Sequence, residues 1–438
     1  MSNIKICIKT IVFCILPFLL KAQEPNVTEW ILSTGTATYE YYPNWPQNTS
    51  TTQTVNMSDS ADILQVCSTA TDVYIRANGL GSYMMGPWLN PNVPAAQNKT
   101  FKFTRFPQPE TGTKTPTPKG KIGLALNGIP MFGYGDARSY AFIFNANVSN
   151  GDGVWNADAW VSEGATMDQN GNGHSEGTGT YHYHANPGVL YSEIDSIHAP
   201  IIGFAFDGYP IYGPFGYSDP NDPQSNVVRL ASSYQLRNIT VRNTLPNGQA
   251  ANPSGPNVTT GGNFDLGTYI EDYEYVPSSG DLDEFNGRNC VTPEYPGGTY
   301  AYFLTTKSNG DPAFPYFMAA EYFGQVSTSS VGAQAGNSSI PGNAVCGTFT
   351  PISHLSSSPK KLILYPNPTE DRITLVVEES GLYNIIIIDA LGSIAYSGTK
   401  EISELLDLDL SYLKNGLYLI RLTNRNNNQS FLNKILFK

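Results

Sequence analysis

Ile122-Gly123-Leu124-Ala125-Leu126-Asn127-Gly128-Ile129-Pro130-Met131-Phe132-Gly133 reads as a buried strand, a tight turn and a second short strand. Asn-Gly between apolar runs is a strong hairpin signal, because both residues tolerate positive φ. The stretch has an echo in Ile202-Gly203-Phe204-Ala205-Phe206-Asp207-Gly208-Tyr209-Pro210-Ile211-Tyr212-Gly213, identical at six of twelve positions. The correspondence continues downstream. Gly179-Thr180-Tyr181-His182-Tyr183-His184 aligns with Gly298-Thr299-Tyr300-Ala301-Tyr302-Phe303, and Asn172-Gly173-His174 with Asn286-Gly287-Arg288. Self-similarity of this kind implies one supersecondary unit used twice. The expectation is a two-lobed, internally repeated β domain with halves at about 115–195 and 196–325.

The repeat sits in a larger unit, residues 24–326, of short strand-like runs separated by Gly, Pro and Asn. Asp72-Val73-Tyr74-Ile75-Arg76 and Ala141-Phe142-Ile143-Phe144 are examples. Long segments of period 3.6 are missing, so an all-β or β-dominated fold is expected. Only 14% of the residues are charged, against about 25% in an average globular chain. The net charge of −12, without basic clusters, argues against nucleic acid or anionic membrane as partner. No Gly-x-Ser-x-Gly elbow, His-Glu-x-x-His helix or phosphate loop occurs, which disfavours the corresponding hydrolase, protease and nucleotide enzymes.

Both ends read as addresses. Lys5 and Lys9 precede the apolar run Ile11–Leu20, and Lys21-Ala22-Gln23 gives a small-residue exit. Ten apolar residues fall short of the ~20 a membrane-spanning helix needs, so residues 1–23 read as a secretory signal peptide. No integral membrane segment is expected after its removal. Cys67, Cys290 and Cys346 then remain, enough for one disulfide of unassigned pairing and one free thiol. Residues 327–360 turn rich in Ser, Gly, Asn and Ala and read as a linker. Residues 361–438 form alternating runs at Ile373–Val377, Tyr383–Ile388 and Leu417–Leu422, the pattern of a small C-terminal β-sandwich.

Chemistry concentrates in one half of the repeat. His174, His182 and His184 fall within eleven residues, and their counterparts are Arg288, Ala301 and Phe303. On a strand, His182 and His184 share one face about 6.6 Å apart at Cα, while Tyr181 and Tyr183 face the other way. Two such imidazoles can meet on one ion, with His174 or Asp168 arriving from the preceding loop. Three ligands and an open position suit a divalent metal, with Zn or Cu favoured. A rival reading uses Asp168-Gln169-Asn170-Gly171-Asn172-Gly173, which matches the first half of a calcium loop but has Gly179 where the bidentate Glu belongs.

Other residues carry bland and sharp readings together. Asp207 is a candidate for orienting a histidine ligand, or a turn cap. His198 reads as surface. Glu271, Asp272, Glu274, Asp281, Asp283 and Glu284 read as solvated loop acids, and as paired carboxylates only if the fold assembles them. Tyr209, Tyr212, Phe215 and Tyr217 suit either a glycan platform or a core.

Tyr181-His182-Tyr183-His184, with Gly171-Asn172-Gly173-His174 before it and Asp207–Gly213 after it, resembles the YHYH-domain family. Asp281–Gly287 and Thr292–Tyr300 fit its second half. The resemblance implies no particular reaction. At the other end, Tyr365-Pro366-Asn367-Pro368, Asp389-Ala390-Leu391-Gly392, Leu413–Tyr418 and the strand around Lys434 resemble the C-terminal sorting domain of type IX secretion cargo. That likeness implies the type IX machinery as partner and a secreted or outer-surface destination. The reading is therefore an exported protein with a single His-rich metal site and an unidentified extracellular substrate. The alternative is a non-catalytic surface module contacting glycan or matrix, with incidental histidines or bound Ca.

Overall fold

Leu124 and Phe204, equivalent positions of the two echoed stretches, pair with each other at the middle of an eight-stranded sheet. This is seen in a computed structural model that describes residues 24–33, 35–191, 193–327, 330–347, 363–365, 369, 371–377, 380–389, 394–403, 405–425 and 430–437. Residues 1–23, read as a signal peptide, and the turns expected at Pro366-Asn367-Pro368 and Gly392 lie outside the described residues.

The strands of this sheet are β1 (Lys121–Ala125), β2 (Pro130–Phe132), β3 (Gly173–Ser175), β4 (Tyr181–Tyr183), β5 (Ile201–Ala205), β6 (Pro210–Tyr212), β7 (Gly287–Cys290) and β8 (Thr299–Phe303). Their order is β3-β4-β2-β1-β5-β6-β8-β7. From either edge inward, the sheet shows an antiparallel pair, a parallel pair and an antiparallel hairpin. The two hairpins meet antiparallel, with Gly123 opposite Ala205 and Ala125 opposite Gly203. The two echoed stretches thus lie side by side in one sheet.

Both hairpins turn as their sequences require. Gly128 and Gly208 have φ of 79° and 89°, and their amides donate to Ala125 O and Ala205 O. At Gly128 a Cβ would lie 2.7 Å from Ala77 Cβ and 2.8 Å from Ile63 Cδ1, so glycine also admits the neighbouring sheet. All of β5, and β1 after Lys121, is buried, which explains continuous apolar runs in place of alternation.

A four-stranded sheet of Val345–Gly347, Ile63–Ser68, Asp72–Ala77 and Lys99–Thr104 shares a hydrophobic cluster with the central sheet. Phe101 and Phe103 meet Phe206 at ring separations of 6.0 and 5.6 Å, and Trp30 touches Phe103 and Phe204. Cys67 and Cys346 form a disulfide across the paired strands Ile63–Ser68 and Val345–Gly347. The Ser/Gly-rich segment is therefore bound into the domain as far as Gly347. Cys290 is the free cysteine among the described residues, and burial pushes its thiol up to about 11.

One strand reading needs correction. The strand Gly135–Ala141 stops at Ala141, and Phe142, Ile143 and Phe144 form the turn before Ala146–Ser149, with exposures of 59%, 86% and 71%. The Asp152 carboxylate accepts from Phe142 N, and Asn145 adopts φ of 46° to reverse the chain. The apolar run has strand-like composition but spans a reversal.

In the C-terminal region Ile363–Tyr365, Arg372–Val376 and Leu405–Asp409 form one sheet. Gly381–Asp389, Ile394–Ile402, Gly416–Asn424 and Ser430–Phe437 form a second. Ile373, Leu375 and Leu408 of the first share a core with Tyr383, Ile385, Ile387, Ile420 and Leu422 of the second.

Candidate metal centre

β4 lies between β3 and β2, so its two edges are hydrogen-bonded and its two faces do different work. His174 on β3 is directly opposite His182 on β4, which places both rings on one face, and His184 follows two residues later on that face. The rings lie 4.8 Å (His174–His182), 4.7 Å (His182–His184) and 5.6 Å (His174–His184) apart, centre to centre. One ring nitrogen of each falls within 4.8 Å of the others, and none of the three residues is more than 6% exposed. Nitrogens bound to one ion at ~2.05 Å and a tetrahedral angle stand about 3.4 Å apart, so the longest separation would have to close by about 1.4 Å to hold an ion. Phe132 of β2 stacks on His182 at 3.9 Å and holds its plane.

The hydrogen bonds set where each ring carries its proton. His182 Nδ1 faces Thr180 O at 3.1 Å, which fixes the proton there and leaves Nε2 as a lone pair. That Nε2 lies 2.9 Å from His184 Nε2, so without metal His184 must donate from Nε2. Its Nδ1 is then a buried acceptor, and it has no hydrogen-bond partner. A cation in place of the shared proton would leave the His184 proton on Nδ1, where the Gly133 backbone carbonyl is at hand to accept it. His174 differs: Asn90 donates to its Nδ1 at 3.3 Å, so ligation through Nε2 requires the amide to turn.

Burial holds all three rings neutral. It lowers His174 to about 4 and His184 to about 3, and it pushes His182 well down, with the neighbouring imidazoles adding to the shift for the last two. Neutral imidazoles are the form that binds metal.

Sequence reasoning missed Glu163. It ends the short helix Ala159–Glu163, and its Oε2 lies 3.5 Å from His174 Nε2 and 3.6 Å from His184 Nε2. The helix is set by Asp158, whose Oδ1 accepts from Val161 N and whose carboxylate accepts from Tyr316 Oη. Burial, reinforced by Asp136, holds the Glu163 carboxyl up at about 7. Asp158 as helix cap was the available signal, but nothing local tied that helix to histidines eleven or more residues on.

Residues 100–313 match the YHYH protein family, and the Tyr181–His184 motif and the three converging imidazoles lie within that span. The chain carries a YHYH domain. Residues 363–438 match the secretion system C-terminal sorting domain, a type IX tail that directs the protein to the cell surface or extracellular space. No curated protein matches the chain. Among the described residues no helix is long and apolar enough to cross a membrane.

The YHYH domain places the other candidates elsewhere. Asp168 lies on the tyrosine face of β4, where its carboxylate accepts from Tyr181 Oη, Asn170 N and Gly171 N. Tyr83 joins that network by donating to Tyr181 Oη at 3.0 Å. The calcium-like loop directs its amides outward, Asn170 to Met84 O and Gly86 O and Asn172 to Asn186 O. Asp207 accepts from Tyr302 Oη, Gly324 N and Tyr209 N, with no histidine among these partners.

His198, read as surface, is buried against Tyr212 and Tyr217, with Nδ1 on Ala199 O. Tyr209, Tyr212 and Phe215 are buried as well, so these rings form core instead of an open platform. Two of the acids are also internal. Asp272 pairs with the buried Arg242, and Glu271 accepts from Asn156.

Proposed function

We propose that the YHYH domain is a secreted metalloprotein module in which His174, His182 and His184 hold one divalent transition ion. Zn or Cu suits the imidazole donors. The observation that carries this reading is the convergence of three buried, neutral imidazoles around a 2.9 Å nitrogen–nitrogen contact that strands His184 Nδ1. A bound ion would polarise an extracellular substrate or activate water, giving hydrolytic or redox chemistry. Asp168 and Asp207 support the scaffold on this reading.

Residues 115–195 and 196–325 descend, on the same reading, from one unit. The inward-reading order of the sheet supports this, as does the matching register of His174–His182 and Arg288–Ala301. The first half alone then carries the centre.

The test is elemental analysis of the purified mature chain. A stoichiometric transition metal, lost in the His182→Ala/His184→Ala double variant while the circular dichroism of the fold persists, is expected. A folded chain that takes up no metal ends the reading.

A further inference from the structure

We propose that Glu163 is the fourth, anionic ligand of the centre and the one that an incoming small anion displaces. This rests on the three-histidine reading and goes beyond it, because it sets the charge and the coordination of the site. Two ligand atoms each about 2.1 Å from an ion and separated by a tetrahedral angle stand about 3.4 Å apart. Glu163 Oε2 stands 3.5 Å from His174 Nε2 and 3.6 Å from His184 Nε2, the spacing of neighbours around one ion. Asp168 cannot take this place, since its oxygens are held by Tyr181 and two backbone amides on the opposite face.

Charge argues the same way. A divalent ion held by three neutral imidazoles leaves a doubly positive centre in a poorly solvated site, which is costly without a counter-charge. One carboxylate halves that charge. Imidazole with carboxylate also favours Zn²⁺ or a similar borderline divalent ion over soft Cu(I).

Exposure gives the direction of entry. The Glu163 side chain is 31% exposed, while those of His174 and His184 are 8% and 5% exposed. A tetrahedral ion with four protein ligands has no open position, and a catalytic one must have one. The carboxylate facing solvent is the ligand free to leave, swinging outward on its own side chain while the strand-held imidazoles stay.

Co²⁺ serves as the probe, read by its visible absorption and by chelator competition, with azide as the small anion. E163Q is expected to bind Co²⁺ about 10–100-fold more weakly than wild type, with an altered spectrum. Its cobalt form is expected to take azide at lower concentration than wild type does. E163A, which removes the oxygen altogether, is expected to do the same. Wild-type affinity and spectrum in both variants would overturn the role of Glu163 and leave the histidine centre standing. Failure of the wild-type protein itself to bind Co²⁺ would overturn both.

Discussion

The hydroxyl of Tyr181 donates to the carboxylate of Asp168 across the face of β4 that the histidines do not use. Asp168 is 1% exposed and also receives two backbone amides, so its three acceptor contacts are all internal. Asp168→Asn places an amide group among these donors. A loss of about 1–3 kcal/mol in urea unfolding is expected, with metal stoichiometry unchanged. If the variant instead kept its stability and lost metal, Asp168 would be the ligand that its position in sequence suggests.

Metal removal should register as lost stability. An ion that binds the native state at a hundred times its Kd adds about 2.7 kcal/mol. Chelation is expected to lower the melting temperature of the wild-type chain, and the His182→Ala/His184→Ala variant should melt alike with and without chelator. Equal shifts in both proteins would place the chelator-sensitive ion elsewhere.

The site was legible in part, and the boundary follows from range. His182 and His184 alternate with Tyr181 and Tyr183, so one strand assignment fixed both faces of β4. His174, expected to arrive from a loop, instead sits on a strand of its own directly opposite His182, a pairing that three residues of strand leave no periodic pattern to announce. Glu163 was hidden because a five-residue helix leaves no periodic trace and its approach to the histidines is tertiary. Phe142–Phe144 misled for the opposite reason, since apolar composition marks a strand only where the chain does not reverse. Asp272 and Glu271 read as solvent-facing acids because their partners Arg242 and Asn156 are remote in sequence.

Asp158 gives a pH signature away from the imidazoles. Burial raises its carboxyl to about 7, above the usual carboxylate value near 3.9. Between about pH 4 and 7 the native state then holds a proton that the unfolded chain has released. Its contribution therefore falls as pH rises through that window, by up to about 1.4 kcal/mol per pH unit, and is flat above it. Asp158→Asn removes the titration. Unfolding free energies at pH 5, 6, 7 and 8 should show a slope less negative than wild type below pH 7, and an unchanged slope would refute the assignment.

Gly128 tests the hairpin joint. Its φ of 79° and the 2.7 Å approach of a Cβ to Ala77 predict that Gly128→Ala destabilises by at least about 1 kcal/mol. Gly177→Ala, with nothing within 4 Å of its Cβ and no positive φ, is the matched control and should shift the urea midpoint little. Similar shifts in the two variants would mean that the joint tolerates a methyl group.

The Cys67–Cys346 bond joins residues 279 apart in sequence and lies one residue before the end of the last described strand ahead of the sorting tail. A cut beyond Gly347 therefore leaves no loose hem from which the domain can unravel. A pull on the chain beyond Gly347 would meet a covalent hoop one residue in, where a strand held by hydrogen bonds alone would peel. Whatever force or blade reached the chain there would find its last strand already riveted to Ile63–Ser68.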